Sequence, residues 1–302
     1  MAKKDKILII LVLLIINISG QAVANYPVTI TDDLDHQVRF NQPPQRIVSL
    51  APNITEILYK LNLETKVIGV TKFCNYPPRV QKKKKVSVKN IESIITLRPD
   101  VVIAAGIVPK EVIKKLAELD IKVVAYKATS ISDTLNTIRQ IAKISGAPQK
   151  GSELIQQMQA KLNYFKRKVR ERLAEKESRP RVFYEIWYKP LRTVGQNTFI
   201  NDLITTAGGK NIADTEQGWP QYSLEKLLLK DPDVYIVTAG SGQDERTAAR
   251  IKARPNYKKL AAVKNNRVHI FNGDLINRPG PRLIKGLELF IKALHPKIKL
   301  AD

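Results

Sequence analysis

Aromatic and polar side chains gather in four stretches that read as connecting loops: Phe73-Cys74-Asn75-Tyr76-Pro77-Pro78, Trp187-Tyr188, Trp219-Pro220-Gln221-Tyr222, and residues 274–281. Loops at the same ends of predicted strands are where open α/β sheets form their clefts. Aromatic rings suit apolar packing, and a guanidinium such as that of Arg278 can donate several hydrogen bonds to amide or carboxylate oxygens. The candidates are therefore Tyr76, Trp187, Trp219, Asp274 and Arg278. Trp219 stands between Gly218 and Pro220 in a polar stretch, out of place for a core tryptophan, with a hydrophobic plug over one lobe as the alternative. A rigid turn at Tyr76-Pro77-Pro78 is the alternative for Tyr76, and an ordinary surface arginine is the alternative for Arg278.

Residues for bond making do not assemble in the same way. His36, His269 and His295 are far apart and make no zinc-ligand spacing. Gly208-Gly209-Lys210-Asn211 lacks the first glycine and the Ser or Thr of a phosphate loop, and reads as a helix C-cap and turn. There is no G-x-S-x-G nucleophile elbow. Cys74 is the only cysteine, so no internal disulfide forms. No catalytic residue, resident metal or cofactor is expected, although catalytic groups can also converge from distant positions.

The elements that position these loops come in two sets. Residues 91–103 are written again as 224–236: Glu92 matches Glu225, Pro99 matches Pro232 and Asp100 matches Asp233, each pair 133 positions apart. Each copy reads as a short helix after a polar N-cap, Asn90 or Ser223, then a Pro-Asp stop and a buried strand. Either glutamate alone is a favourable partner of its helix dipole, worth about 0.3–1 kcal/mol. Their recurrence in two lobes is harder to explain by local stability.

Around the repeat, residues 26–40 suggest a hairpin with an acidic turn, and strands at 46–50, 67–70, 101–104 and 123–126 alternate with helices at 111–119, 132–144 and from an Asn53 cap through Tyr59. Pro148 and Gly151 end this lobe. From Ser152, the residues Leu154, Met158, Leu162, Phe165, Val169 and Leu173 recur at helical steps along one stripe. A helix of about 26 residues is roughly 39 Å long and makes a stiff connector; an ordinary amphipathic helix on a single domain is the alternative. Strands at 181–186, 191–194 and 267–271, with helices at 199–207 and 282–294, echo the first set. The expected fold class is α/β: two similar lobes, residues 25–147 and 179–302, joined by a single long α-helix at 148–178, with the cleft between them.

The N-terminus carries Lys3, Lys4 and Lys6, an apolar run from Ile7 to Ile16, and small residues at Ala22-Val23-Ala24. That pattern is a secretory signal peptide over residues 1–24, too short in its apolar part for a spanning helix, and places the mature chain in the periplasm. No cysteine follows the cleavage point, so no lipid anchor is expected there. The formal net charge of +23 would ordinarily raise nucleic-acid binding. Its charges are dispersed, with Lys82 to Lys85 the one dense run, and an exported chain seldom meets nucleic acid. A solvated basic surface follows, favourable to anionic ligands or anionic membrane surfaces.

Three features together resemble the cobalamin-binding and ferric-siderophore-binding periplasmic proteins of ABC importers. They are the Asn75-Tyr76-Pro77-Pro78 loop, the doubled glutamate helix with its Pro-Asp strand, and the segments 255–268 and 278–282. The resemblance runs from about Arg46 to Leu294 and implies a monomeric binding protein, not an enzyme. Its ligand would be a corrinoid such as cobalamin, or a ferric siderophore or haem. On the cobalamin pattern, Tyr76 and Trp219 would face the corrin, and Asp274 and Arg278 would hydrogen-bond its amide side chains. This chain is shorter between Val88 and Glu92 than the cobalamin-binding members and lacks a tryptophan there, a gap that Trp187 is a candidate to fill. In haem-binding relatives a tyrosine such as Tyr76 would be the iron ligand. The resemblance also implies docking to a permease dimer with ATPase subunits, through Glu92 and Glu225. A chelatase-like enzyme is the alternative from another class, and would need a His or Glu pair at the cleft; an exported adhesin would leave the paired glutamates without a role.

Overall fold

The computed structural model describes residues 26–106, 108–175, 178–239 and 247–301; the expected signal peptide at 1–24 lies outside them. The first lobe opens with an antiparallel hairpin of β1 (Val28–Thr31) and β2 (Gln37–Phe40). Asp32 closes its acidic turn by accepting the backbone N–H groups of Leu34 and His36, both at 2.9 Å. Five parallel strands follow: β3 (Ile47–Ser49), β4 (Val67–Thr71), β5 (Lys84–Val86), β6 (Val101–Ala105) and β7 (Val123–Tyr126), in the order β5-β4-β3-β6-β7. Except for the edge strand β5, they are largely buried runs of Val, Ile and Ala, as in a parallel sheet covered on both faces.

The covering helices are α1 (Pro52–Lys60), α2 (Glu92–Ile95), α3 (Lys110–Glu118) and α4 (Ile131–Ile144). Asn53 is not the cap of α1. Pro52 takes the first helical position, where a missing N–H is harmless, and Asn53 sits inside the first turn with its Nδ2 donating to Pro279 O at 3.2 Å. The helix α5 (Pro148–Ala174) has 27 residues and starts at Pro148, four positions before Ser152, for the same reason. Gly151 lies within it, because a Cβ there would collide with the Cβ of Ala142 on α4. Most of the expected stripe is buried, at Met158, Leu162, Phe165 and Val169; Leu154 and Leu173 are half-buried at its edges, and Ile155 is buried beside it.

In the second lobe a four-stranded parallel sheet has the order β11-β8-β12-β13, from β8 (Arg181–Glu185), β11 (Lys210–Asn211), β12 (Val234–Ala239) and β13 (Val268–Asn272). The stretch expected as a strand over 191–194 shortens to β10 (Leu191–Arg192), which pairs with β9 (Trp187–Tyr188) as a separate small hairpin. Helices α6 (Phe199–Thr206), α7 (Leu224–Lys230), α8 (Ala248–Lys252), α9 (Ala261–Lys264), α10 (Gly273–Ile276) and α11 (Leu283–Leu294) complete it. Gly208, at φ 80°, ends α6 as a C-cap, with N–H groups of Gly208 and Gly209 bonding back to Thr205 and Ile204.

The repeated segments fold alike. Both α2 and α7 are followed by a left-handed residue, Arg98 at φ 44° and Asp231 at φ 39°, at matching positions. Asp100 Oδ2 then accepts the N–H of Arg46 at 2.9 Å, and Asp233 Oδ2 accepts that of Arg181 at 2.7 Å. Each clamp ties β6 or β12 to the chain entering the neighbouring central strand. The caps differ: Ser223 Oγ accepts the Lys226 N–H at 3.1 Å, whereas the side chain of Asn90 accepts from Ser93 around a helix of only four residues.

One continuous core joins the lobes. It includes Ile54, Ile57 and Leu58 of α1, the α5 stripe, and Leu283, Leu287, Phe290 and Ile291 of α11. Asp202 on α6 reinforces it by accepting the Ile131 N–H of α4 at 2.7 Å. Two further apolar clusters, one in each lobe, complete the packing. No helix among the described residues is long and apolar enough to cross a membrane.

Candidate functional site

A cleft of about 970 Å³ lies between the lobes, walled by the C-terminal ends of β6, β7, β8 and β12 and the loops that follow them. Trp187 and Trp219 both line it and are about half exposed, at 53% and 52%. Phe73, exposed to 64%, is a third aromatic in the lining. Three large rings left open to solvent around one apolar cavity mark a surface waiting for an apolar partner.

Two of the rings have a support in the surrounding fold. The β9 strand carries Trp187, whose Nε1 donates to Lys189 O at 2.8 Å. The next residue, Tyr188, lies under the Arg254 guanidinium at 3.7 Å, and Arg254 is bonded to the fully buried Glu185 at 2.5 and 3.1 Å. The Tyr235 hydroxyl donates to the same carboxylate. Trp219 follows Gly218 at φ 62°, a left-handed turn position, and the Gly218 and Pro220 carbonyls accept N–H groups of Gly195 and Thr193. Phe73 was legible as the head of the Tyr76 loop, but nothing in the sequence ranked it above Tyr76.

The expected position of Tyr76 is corrected. It lines a separate cavity of about 410 Å³ beside α1 and α5, and its ring lies under the Arg282 guanidinium at 4.1 Å. That cation–π contact holds the ring outside the cleft lining, and Phe73 occupies the place assigned to it.

Asp274 and Arg278 do line the cleft, positioned by α10, a helix too short to leave a periodic signal. They form a closed set with Asn75 of the opposite lobe. Arg278 Nη2 is 2.5 Å from Asp274 Oδ1, Arg278 Nη1 donates to Asn75 Oδ1 at 2.6 Å, and Asn75 Nδ2 donates to Asp274 Oδ2 at 2.7 Å. Behind them Arg282 and Arg278 both approach the buried Glu56 of α1. Acceptors and donors thus sit at one edge of an otherwise apolar cavity. Two tyrosines complete the walls. Burial, together with the charges of Asp33 and Asp32, pushes the Tyr126 phenol far above its ordinary range, and the Tyr184 hydroxyl donates to Asn277 Oδ1 at 2.8 Å.

Glu92 and Glu225 lie outside the cleft, exposed in the first turns of α2 and α7. Neither makes an ion pair among the described residues.

Two parallel-sheet lobes on a shared core, with an apolar cleft where their strands end, define a two-lobed solute-binding protein. The chain belongs to the periplasmic binding protein family, whose model matches residues 47–275. It is 34% identical over 278 residues to an uncharacterized ABC transporter substrate-binding lipoprotein, YvrC, of Bacillus subtilis, covering 90% of this chain and 86% of the relative. It is 32% identical over 254 residues to a vitamin B12-binding protein of Vibrio parahaemolyticus, covering 82% and 88%. A crystal structure of a possible iron-binding periplasmic solute-binding protein from Staphylococcus epidermidis superposes with a TM-score of 0.74 at 31% identity, over 84% of this chain and all of that one.

Proposed function

We propose that this protein is the substrate-binding component of an ABC importer that captures a corrinoid of the cobalamin class and delivers it to a membrane permease. The observation that carries this reading is the lining of the cleft: three exposed rings, Phe73, Trp187 and Trp219, facing an apolar space, with the Asp274, Arg278 and Asn75 set at its edge. A corrinoid presents broad apolar faces and a rim of amides, which need both donors and acceptors. The cavity volume lies at the upper end of the usual range for small-molecule sites, in keeping with a large ligand. The relationship to a vitamin B12-binding protein supports the same choice.

A ferric siderophore is the second reading, favoured by the iron-binding name of the Staphylococcus relative. Haem held through tyrosine fits less well. Tyr76 lies beneath Arg282 outside the cleft, the Tyr126 phenol is kept protonated by burial, and the Tyr184 hydroxyl is engaged with Asn277. A chelatase-like role would need a His or Glu pair at the cleft, and neither residue type lines it among the described residues.

The chain has two tryptophans and both line the cleft, so intrinsic fluorescence reports occupancy directly. Titration with cyanocobalamin should quench it saturably at micromolar concentrations or below. Unchanged emission with cyanocobalamin, alongside tight binding of a ferric siderophore, would replace the corrinoid by the siderophore.

A further inference from the structure

Among the described residues, three charged side chains line the cleft: Asp274, Arg278 and Lys127. The first two neutralise each other at 2.5 Å. Lys127, directly after β7, is exposed, and its ammonium has no ion pair or hydrogen bond within the described chain. Its position is nevertheless fixed. Asp33 Oδ2 accepts its backbone N–H at 2.5 Å, which anchors the residue to the turn of the N-terminal hairpin. A Cβ on Gly106, at the end of β6, would lie 3.0 Å from Lys127 Cγ and 3.1 Å from its Cβ, so glycine there gives the lysine stem its place against the wall. In the open cleft water screens this exposed cation, and its attraction for an anion strengthens once a bound ligand displaces that water from the apolar wall.

We propose that Lys127 is a specificity-determining residue that pairs with an anionic group on the ligand's periphery. Resting on the corrinoid reading above, that group is the phosphodiester of cobalamin's nucleotide loop, a fixed negative charge on a rim otherwise made of neutral amides. The lysine then discriminates complete corrinoids from those lacking the loop, while the aromatic rings hold the corrin in either case. Gly106 acts through Lys127 as a positioning residue.

The test compares cyanocobalamin with dicyanocobinamide, which keeps the corrin and its amides but lacks the phosphodiester, by calorimetry on the whole protein. Wild type should bind both. Lys127→Met should weaken cyanocobalamin roughly tenfold, the scale of a lost charge-assisted hydrogen bond, and leave dicyanocobinamide within about twofold. Lys127→Arg should restore most of the difference, and raised salt should narrow it in wild type. Equal losses on both ligands, or no loss on either, would overturn the assignment. A wild type that binds neither corrinoid would instead overturn the corrinoid reading, and this assignment with it.

Discussion

Arg282 donates from Nε and Nη2 to the two carboxylate oxygens of Glu56, at 2.8 and 2.6 Å, across the boundary between the lobes. Glu56 is only 2% exposed, so the pair is fixed in direction and shielded from water. Together with Asn53 to Pro279 and Asn75 to Asp274, it makes the lobe junction a hydrogen-bonded seam over a continuous core. The seam ties the two walls of the cleft together, an arrangement that suits a preformed site.

That seam has a measurable cost of disruption. Arg282→Met leaves Glu56 buried with Arg278 Nη1 as its remaining partner at 3.5 Å. Removing one member of a buried pair typically costs about 3–5 kcal/mol, whereas replacing both by apolar residues is often nearly neutral. Urea denaturation should show Arg282→Met destabilised on that scale, with Glu56→Leu/Arg282→Met closer to wild type than the single variant. A double variant as unstable as the two single effects summed would show that charge pairing is not what holds the seam.

The two glutamates call for a separation of binding from transport. Glu92 and Glu225 are exposed, lie outside the cleft and recur on matching helices. A Glu92→Ala/Glu225→Ala protein should quench normally with its ligand and lose no more than about 4 °C of thermal midpoint, since each glutamate contributes only about 0.3–1 kcal/mol as the partner of its helix dipole. Uptake in cells that rely on this protein should fall to background. Normal uptake would remove the docking role.

Much of this architecture was readable because parallel sheets bury long apolar runs and the long helix repeats its stripe at a regular step. The duplication extends to a backbone detail that residue types did not announce, the left-handed residue at Arg98 and Asp231. What the sequence hid was three-dimensional competition. Tyr76 and Phe73 occupy one loop, and the ring that lies outside the cleft lining is the one stacked on the distant Arg282. Proline was misleading in the same way: Pro148 looks like a terminator in the chain but acts as a helix start once Ala147 precedes it in non-helical geometry. Asp274 and Arg278 line the cleft, yet their pairing through Asn75, 199 and 203 positions away, has no local signature.

Gly151 offers a substitution whose sign opposes helix propensity. Alanine in a helix interior is usually better than glycine by about 1 kcal/mol. Here the added Cβ would run into Ala142 of α4, and the backbone O of Ile138 lies 3.8 Å away on the same side. Gly151→Ala should therefore destabilise, with Gly151→Val worse, as overpacking at a helix contact costs about 1–3 kcal/mol. A higher melting temperature for Gly151→Ala would mean that α4 and α5 can separate without loss.

The last prediction concerns acid. Burial, and then the neighbouring charge of Arg267, hold the His269 imidazole below its ordinary pKa of 6.5, and its Nε2 is buried without a partner. The fold favours the neutral ring, so the stability it contributes is complete above about pH 6.5. It is lost as the pH falls from there through the lower folded value, because the unfolded chain takes up the proton first. The depressed carboxyl of Asp233 works in the same direction, with burial opposing and the Arg181 hydrogen bonds outweighing it, but only below its ordinary 3.8. Urea midpoints measured from pH 8 to 5 should decline below about 6.5 in wild type and decline less in His269→Gln. Parallel profiles for the two proteins would assign the acid sensitivity to the rest of this strongly basic chain, whose self-repulsion grows as carboxylates protonate.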